Sequence, residues 1–245
     1  MSNFQQARDS QVELNKSNRD LISSADHFFL ESVKSNYSYG FDWLGFPIIQ
    51  YPQDIVALQE IVFQVKPTLI IETGFARGGS SILFASLLKM ISNEKDDNFK
   101  VLTIDIDFNK DCLQKVMASQ FGKYIHAIEG SSIDKKVFEQ VVVESKTHDS
   151  IMVVLDSMHT KDHVDEELKL YSQLVSKGSF ICVMDTAIGY LPEEVTSDRP
   201  WSPSNSPFQS AKNFVESNNN FICRDDIDHK LLVSVAKSGY IQRVK

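Results

Sequence analysis

Short apolar runs alternate with longer segments of mixed apolar and polar residues through the central part of the chain. Five of these runs predict strands, at residues 68–72, 101–105, 124–129, 151–156 and 180–185. The segments between them, such as residues 81–91 and 164–174, show helical spacing. Apolar strands that alternate with helices are typical of a mainly parallel sheet with helices on both faces. The pattern therefore predicts a doubly wound α/β fold.

The two ends of the chain have a different pattern. Residues 1–35 have apolar positions spaced as in a helix, and residues 37–47 form an aromatic stretch with glycine and proline, which predicts an ordered loop. Residues 190–207 carry four prolines and predict a long functional loop, followed by a helix near residues 208–216. An antiparallel pair of strands is expected at one sheet edge, at residues 221–224 and 231–236. We thus expect a helical and aromatic extension over residues 1–50 and one main domain over residues 51–245.

Composition and charge limit the classes of partner. The 245 residues carry 25 Lys and Arg against 33 Asp and Glu, and the net charge of −8 argues against nucleic acid or an anionic membrane as the main partner. The start of the chain is polar, and no apolar run is close in length to a membrane-spanning helix, which needs about 20 residues. The three cysteines lack metal-ligand spacing and are interpreted as reduced thiols, so a cytoplasmic protein is predicted. The N-terminal extension could be an interface in a homo-oligomer or a cap over the site.

A glycine-rich loop follows the first predicted strand. The strand ends at Glu72, and Gly74, Gly78, Gly79 and Ser80 come next, before a helical pattern begins. Glycines at this position let a ligand approach the backbone closely. The spacing is not G-x-G-x-x-G, which argues against a nicotinamide-dependent oxidoreductase. A smaller charged cofactor such as S-adenosylmethionine is favoured.

The second and third predicted strands end in residues that suit a nucleoside. Asp105 lies where an acid accepts hydrogen bonds from ribose hydroxyls, and Asp107 could share or take that role. The separation of Asp105 from Glu72 exceeds the usual spacing of about 20 residues, and a polar insertion at residues 93–98 accounts for the difference. The run Gly130-Ser131-Ser132 predicts a surface for a purine or a cap for the next helix, and the two interpretations are compatible.

The fourth and fifth predicted strands end in a second group of polar residues. Asp156 and Asp185 are expected to lie side by side, and two unpaired carboxylates favour a hard cation, above all magnesium. His159 would face the same cavity and take a proton from a substrate hydroxyl, or it would only cap the next helix. His163 is expected to pack on the outer face of that helix, with a catalytic role as the less favoured alternative. A zinc site on the two histidines is disfavoured by the nearby acids and the absence of cysteine ligands.

Several motifs over residues 37–245 resemble, in order, those of a known family. They are Trp43-Leu44-Gly45, Gln50-x-Pro52-x-Asp54, Ile71-Glu72-Thr73-Gly74, Gly78-Gly79-Ser80, Ile104-Asp105-Ile106-Asp107, Glu129-Gly130-Ser131-Ser132, Leu155-Asp156-Ser157-x-His159, His163-Val164, Asp185-Thr186 and Gly239-Tyr240. The chain is similar in these positions to the cephalosporin hydroxylase/rhamnosyl O-methyltransferase family, whose members are S-adenosylmethionine-dependent methyltransferases.

The resemblance implies a Rossmann-like class I methyltransferase fold and methylation of a hydroxyl on a sugar or small natural product. It places the methyl donor over Glu72, Gly74 and Asp105, with Gly79 and Ser80 in the same loop motif and the Gly130–Ser132 turn beside them. It also implies bound magnesium, because related metal-dependent sugar methyltransferases hold the cation with an acid matching Asp156 and an acidic pair at the end of the fifth strand. They use a histidine placed like His159 as the base.

One position departs from the family pattern. This chain has Met184 before Asp185, where the family has glutamate, so one expected carboxylate is missing. Strand alternation predicts that Met184 and Asp185 point to opposite faces. The alternative function is therefore a cofactor-binding protein without catalysis, acting as a partner in a biosynthetic assembly. Arg199 and Trp201, in the loop after the fifth strand, are expected to form a lid over the site.

Overall fold

The computed structural model describes residues 3–92 and 98–245. The helices are α1 (Asn3–Asn15), α2 (Arg19–Lys34), α3 (Pro52–Val65), α4 (Gly79–Ile91), α5 (Lys110–Met117), α6 (Lys135–Ser145), α7 (Lys161–Tyr171), α8 (Pro207–Ser217) and α9 (Asp225–Leu231). The strands are β1 (Asp42–Trp43), β2 (Phe46–Pro47), β3 (Leu69–Thr73), β4 (Lys100–Asp105), β5 (Ile125–Glu129), β6 (Ile151–Leu155), β7 (Phe180–Val183), β8 (Phe221–Cys223) and β9 (Tyr240–Arg243). The explanation of the β3–β4 spacing by a polar insertion falls mainly on residues 93–97, outside the described residues.

Seven strands form one mixed sheet in the order β5-β4-β3-β6-β7-β9-β8. The pairs from β5 to β7 are parallel, and β9 pairs antiparallel with both β7 and β8. The chain proceeds outward from β3 in both directions, so the strand order reverses between β3 and β6. In open α/β sheets ligands bind beside such a reversal, outside the carboxyl ends of the strands. The predicted Rossmann-like α/β fold with an antiparallel C-terminal edge is confirmed.

The strands are apolar on both faces because helices cover both sides of the sheet. In β3, for example, Ile70 belongs to the core on one face, while Leu69 and Ile71 belong to the core on the other. All three side chains are fully buried. This two-sided burial explains why near-continuous apolar runs were good predictors of the central strands.

The prediction for the C-terminal edge was partly wrong. Residues 221–224 do contribute β8, but residues 231–236 are not a strand. Helix α9 ends at Leu231, and the segment that follows buries Val233, Val235 and Ala236 without pairing as a strand. The partner of β8 is β9, which begins at Tyr240. The apolar run is buried through irregular backbone, which periodicity alone does not distinguish from a strand.

The hairpin of the N-terminal extension packs against helix α4, which flanks the main sheet. The extension contains two helices where the pattern indicated one, and the aromatic stretch forms the β1–β2 hairpin. The hairpin lies so close to the start of α4 that a Cβ on Gly79 would stand 2.3 Å from the Pro47 carbonyl oxygen. Trp43 Nε1 also donates a 3.0 Å hydrogen bond to Ser86 Oγ of α4. The domain boundary at residue 50 stays a prediction. Within the described residues, no helix combines the length and apolar character needed to span a bilayer.

Candidate functional site

A cavity of about 720 Å³ opens at the carboxyl edge of the sheet, beside the reversal of strand order. Its floor comes from one row of the sheet, because Thr73 of β3 is level with Ile104 of β4 and Leu155 of β6. The next residue along each strand is therefore Gly74, Asp105 and Asp156, and all three line the cavity. The alignment of parallel strands brings together residues that are far apart in sequence.

Asp156, His159 and Asp185 form one cluster in this cavity. Each offers a ligand atom, and these atoms lie within 4.8 Å of one another. His159 Nε2 is 3.0 Å from Asp185 Oδ2, and the two side chains are only 16% and 33% exposed. The structure thus brings together the three side chains for which the sequence predicted catalytic and metal-binding roles. The three together could hold a divalent cation, or the two carboxylates could do so with His159 beside them.

The carboxylate of Asp156 lies in unfavourable electrostatic surroundings. Burial, followed by the charges of Asp185 and Glu72, raises its pKa well above the usual value, and the hydrogen bond from Gln50 lowers it. Gln50 Nε2 donates to Asp156 Oδ2 at 3.0 Å. Over residues 3–92 and 98–245, the ion pairs give Asp185 only His159 as a partner and give Asp156 none. A bound cation would relieve this accumulation of negative charge.

The glycine loop forms the wall of the cavity next to β4. Gly74 has a φ of +91°, and a Cβ at that position would lie 2.0 Å from the Asp156 carbonyl oxygen. Asp105 holds the loop, since its Oδ2 accepts the backbone N–H groups of Phe75 at 2.8 Å and Ala76 at 3.4 Å. Gly79 and Ser80 line the same wall. Asp105, which the sequence predicts to bind the nucleoside, is therefore also the residue that orders the glycine loop.

Three acids of the motifs that resemble the family do not line the cavity: Glu72, Asp107 and Glu129. Glu72 is buried beneath the loop and accepts a hydrogen bond of 2.5 Å from Ser81 Oγ. Burial raises the Glu72 pKa to about 7, although hydroxyl groups of the neighbouring residues lower it in part. Asp107 and Glu129 are exposed, and Asp107 donates its backbone N–H to Asp105 Oδ1 at 3.2 Å. Direct donor contacts by Glu72 and Asp107 remain predictions.

The turn after β5 lines the cavity and is tied to helix α7. The run Gly130-Ser131-Ser132 borders the cavity, and Ser132 Oγ lies 3.0 Å from His163 Nε2. His163 also approaches Ser157 Oγ at 3.2 Å, and Ser157 donates to the buried Glu167 at 2.8 Å. His163 thus faces the cavity and connects β5 to β6. The expectation that it packs on the outer face of its helix was wrong.

The proline-containing loop reaches the acidic cluster. The Trp201 ring meets the His159 ring edge to face, with centroids 4.8 Å apart. The Arg199 guanidinium lies 5.7 Å from the centroid of the Trp201 ring, and both residues line the cavity. The geometry agrees with the expected cover over the site, whereas its opening and closing stays a prediction.

Four residues with left-handed backbone other than glycine line this cavity: Asn36, Ile49, Ala76 and Asp185, with φ between +46° and +55°. Such conformations are rare, above all for a β-branched residue such as Ile49, and they concentrate at functional sites. At Asp185 the left-handed turn redirects the chain at the end of β7 and brings the side chain into the cavity. Periodicity in the sequence carries no signal for these turns.

The contact of Gln50 could not be predicted from the sequence, whereas Met184 was expected to point away from Asp185. Gln50 belongs to a motif that resembles the family, but nothing local indicated its contact with Asp156, 106 residues away. Met184 follows β7 at the level of Asp156, and its side chain is buried in the apolar core. Met184 and Asp185 therefore have different surroundings, as predicted, but the left-handed turn at Asp185 separates them and not strand alternation, because β7 ends at Val183.

The chain is similar in sequence to a known family and to individual known proteins. A family model described as rhamnosyl O-methyltransferase/CmcI matches residues 35–244. The rhamnosyl O-methyltransferases of Mycobacterium tuberculosis (strain ATCC 25618 / H37Rv) and Mycobacterium leprae (strain TN) are 31% and 30% identical over 151 residues. That match covers 61% of this chain and 58% and 62% of the two relatives. The chain thus matches about three fifths of the length of these proteins.

Solved structures share the fold at lower identity. The apo structure of CmcI-N160 is 18% identical with a TM-score of 0.60, and the match covers 84% of this chain and 77% of that one. The O-methyltransferase TomG from Streptomyces achromogenes, in complex with SAM, is 14% identical with a TM-score of 0.55 over the full length of both chains. Because the family model spans most of the chain and the expected motifs meet in one cavity, the chain belongs to the rhamnosyl O-methyltransferase/CmcI family.

Proposed function

We propose that the chain transfers the methyl group of S-adenosylmethionine to a hydroxyl of a sugar or small natural product, with Mg²⁺ assisting. The observation that carries the proposal is the cluster of Asp156, His159 and Asp185 in the cavity that the glycine loop borders. The names of the relatives, which are rhamnosyl O-methyltransferases, support a glycosyl hydroxyl as the acceptor. The solved TomG structure, in complex with SAM, supports the choice of donor.

The donor would lie along the carboxyl ends of β3, β4 and β5. Gly74, Gly79 and Ser80 supply a wall with little side-chain bulk, and the run Gly130-Ser131-Ser132 supplies a second one for the purine. Asp105 would accept hydrogen bonds from the ribose hydroxyls. Each carboxylate oxygen has two lone-pair directions, so Asp105 retains acceptor capacity beyond its contacts with the loop.

The residues present fit a hard divalent cation. Asp156 and Asp185 are adjacent carboxylates without a lysine or arginine partner among the described ion pairs. The pKa of Asp156 is raised first by its burial and then by the neighbouring negative charge of Asp185. Oxygen ligands of this kind suit Mg²⁺. When bound there, the cation would orient the acceptor hydroxyl and lower its pKa. Met184 supplies no ligand atom, so two protein carboxylates would hold the cation.

His159 would accept the proton of the acceptor hydroxyl. Its Nε2 contacts Asp185 Oδ2, which fits a neutral imidazole that carries its proton on Nε2 and its lone pair on Nδ1. In the proposed reaction the acceptor oxygen would attack the methyl carbon, the carbon–sulfur bond would break with its electron pair moving to sulfur, and the hydroxyl proton would pass to His159. The role of the cavity would be to align oxygen, carbon and sulfur for this displacement. Trp201 packs on His159 and limits its rotation.

Two variants separate the proposed roles. His159→Ala is expected to retain donor and Mn²⁺ binding but to lower turnover by about 10²–10⁴-fold, because a general base is lost. Asp185→Ala is expected to lose Mn²⁺ binding as well as activity, because it removes a carboxylate ligand. Calorimetry would measure donor binding, and electron paramagnetic resonance would measure Mn²⁺ binding, with methyl transfer followed on a panel of glycosides. Glu129→Gln, an exposed strand-end acid, is the control.

The outcomes distinguish the alternatives. Loss of Mn²⁺ binding in His159→Ala would make the histidine a metal ligand and refute its role as base. Full activity after chelation, with no gain from Mg²⁺, would remove the metal from the proposal. Donor binding without a methylated product across the panel would favour the non-catalytic partner, and absence of donor binding would refute the methyltransferase assignment.

A further inference from the structure

Asp54 is a buried carboxylate that the proposed chemistry does not use. It lies in the first turn of α3 and is 0% exposed. Its Oδ1 accepts hydrogen bonds of 2.6 Å from Ser234 Oγ and from Tyr240 Oη, and its Oδ2 accepts the Val235 N–H at 3.0 Å. All three donors come from the C-terminal segment, about 180 residues away in sequence. Asp54 therefore holds the irregular backbone at residues 234–235 and the start of β9, while Asp228 Oδ2 accepts the Ser238 N–H at 2.7 Å in the same segment.

That segment contacts the chain on both sides of Asp185. On one side, Val183 donates its N–H to the Gly239 carbonyl oxygen at 2.8 Å. On the other side, Ala187 donates its N–H to the Val235 carbonyl oxygen at 2.9 Å. The approach is close, because a Cβ on Gly239 would lie 2.0 Å from the Val183 carbonyl oxygen. The segment thus brackets the turn that delivers Asp185 to the cavity.

The turn at Asp185 needs such support. Asp185 has a φ of +55°, a conformation that residues other than glycine adopt at a cost in free energy. Such a conformation persists only where the surrounding structure over-determines it. Here the two backbone hydrogen bonds from Val183 and Ala187 hold the flanking residues, and both acceptors belong to the segment that Asp54 fixes.

We propose that Asp54 is a positioning residue: through Ser234, Val235 and Tyr240 it holds the left-handed turn that places the Asp185 carboxylate in the cavity. The consequence for metal binding rests on the proposed function, in which Asp185 is a ligand. The claim about the turn itself does not, because it concerns hydrogen bonds within the chain. The motifs containing Asp54 and Tyr240, which the sequence left without a role, thereby act together.

The test uses Asp54→Asn. The milder Tyr240→Phe removes one of the three hydrogen-bond donors to Asp54 and replaces Asp54→Asn in the test if that variant folds poorly. Val141→Ala, a fully buried position of α6 on the opposite face of the sheet, is the control for general destabilisation. Amide hydrogen exchange of Val183 and Ala187 reports the turn directly. Binding of Mn²⁺ alone reports the Asp185 carboxylate, and binding of S-adenosylhomocysteine reports the distant donor wall.

We expect the Val183 and Ala187 amides to exchange about tenfold faster in Asp54→Asn than in Val141→Ala, when the two variants are compared under conditions that give them the same free energy of unfolding. The dissociation constant for Mn²⁺ should rise by about 10–100-fold, as for residues that orient a metal ligand, while donor affinity stays constant. Unchanged exchange at Val183 and Ala187 would overturn the proposal. Faster exchange with unchanged Mn²⁺ affinity would overturn the link to the Asp185 carboxylate if Asp185→Ala abolishes Mn²⁺ binding, and would refute Asp185 as a ligand in the proposed function if it does not. If the unmodified protein binds no Mn²⁺, the metal in the proposed function is refuted, and the exchange result alone decides the role of Asp54.

Discussion

Replacement of Glu72 by glutamine should make the protein's stability less sensitive to pH. Glu72 is buried under the glycine loop, and its pKa is about 7 in the folded chain, against an ordinary value of 4.5. Burial is the larger cause, and the hydroxyls of Ser80, Ser81 and Thr103 offset only part of it. The folded state therefore holds a proton that the unfolded state releases between these two pH values.

The sign of the effect follows from proton linkage. Where the folded state binds more protons than the unfolded state, the free energy of unfolding falls as pH rises. For Glu72 that decrease begins near pH 4.5 and is complete above about pH 7. A difference of this size corresponds to about 3 kcal/mol, since each pKa unit is worth about 1.4 kcal/mol. The uncharged amide of Glu72→Gln removes this contribution, and the neighbouring hydroxyls can reorient to pair with it.

Urea unfolding at pH 5 and pH 8, followed by tryptophan fluorescence, measures the prediction. The stability of Glu72→Gln relative to the unmodified protein should increase by up to about 3 kcal/mol between the two pH values. Glu129→Gln is the matched control, because Glu129 lies at the end of the neighbouring part of the same sheet, in β5, but is exposed. A stability difference for Glu72→Gln that is the same at both pH values would refute the reasoning that Glu72 is held protonated by burial.

Two further substitutions test the walls of the cavity. Gly74→Ala should destabilise the protein by more than the about 1–2 kcal/mol that a left-handed alanine costs and should weaken donor binding, because its Cβ would meet the Asp156 carbonyl oxygen at 2.0 Å. Gly178→Ala is the control, because Gly178 has a similar positive φ but open space around its Cβ position. If urea unfolding and calorimetry gave equal losses of stability and of donor affinity for the two variants, the steric argument would be contradicted. Trp201→Ala should lower kcat/KM for the acceptor about tenfold while leaving donor affinity unchanged, because the ring orders His159. Equal donor and acceptor effects in steady-state kinetics and calorimetry would argue against that role, and Trp43→Phe, outside the cavity lining, is the control.

The central sheet was predictable because its physical cause is local. Strands buried on both faces must be apolar along their whole length, so the runs in β3, β4 and β6 are visible in the sequence. The acids that follow them come together because parallel strands end at one edge. The position of Asp105 and Asp156 in one cavity followed from that rule alone.

Features with long-range causes were not predictable in the same way. Residues 231–236 read as a strand because they are apolar, yet Asp54 holds this backbone in an irregular path through hydrogen bonds to Ser234 and Val235. The contact of Gln50 with Asp156 joins parts of the chain 106 residues apart. No window of the sequence contains both partners of such a contact, so propensity and periodicity cannot reveal it.

The residues that line the cavity come from two kinds of segment. The predicted donor wall comes from the ends of β3 to β5, which the hydrogen-bonded sheet holds in fixed register. A second wall comes from segments outside the main sheet, including several residues between 33 and 39, residues 47–51 and several residues between 187 and 201. Because strand register constrains the first wall and not the second, residues in the second wall can change without disturbing the sheet. Under the proposed function, the choice of acceptor is therefore encoded in the N-terminal extension and the proline-containing loop, while the strands set the chemistry.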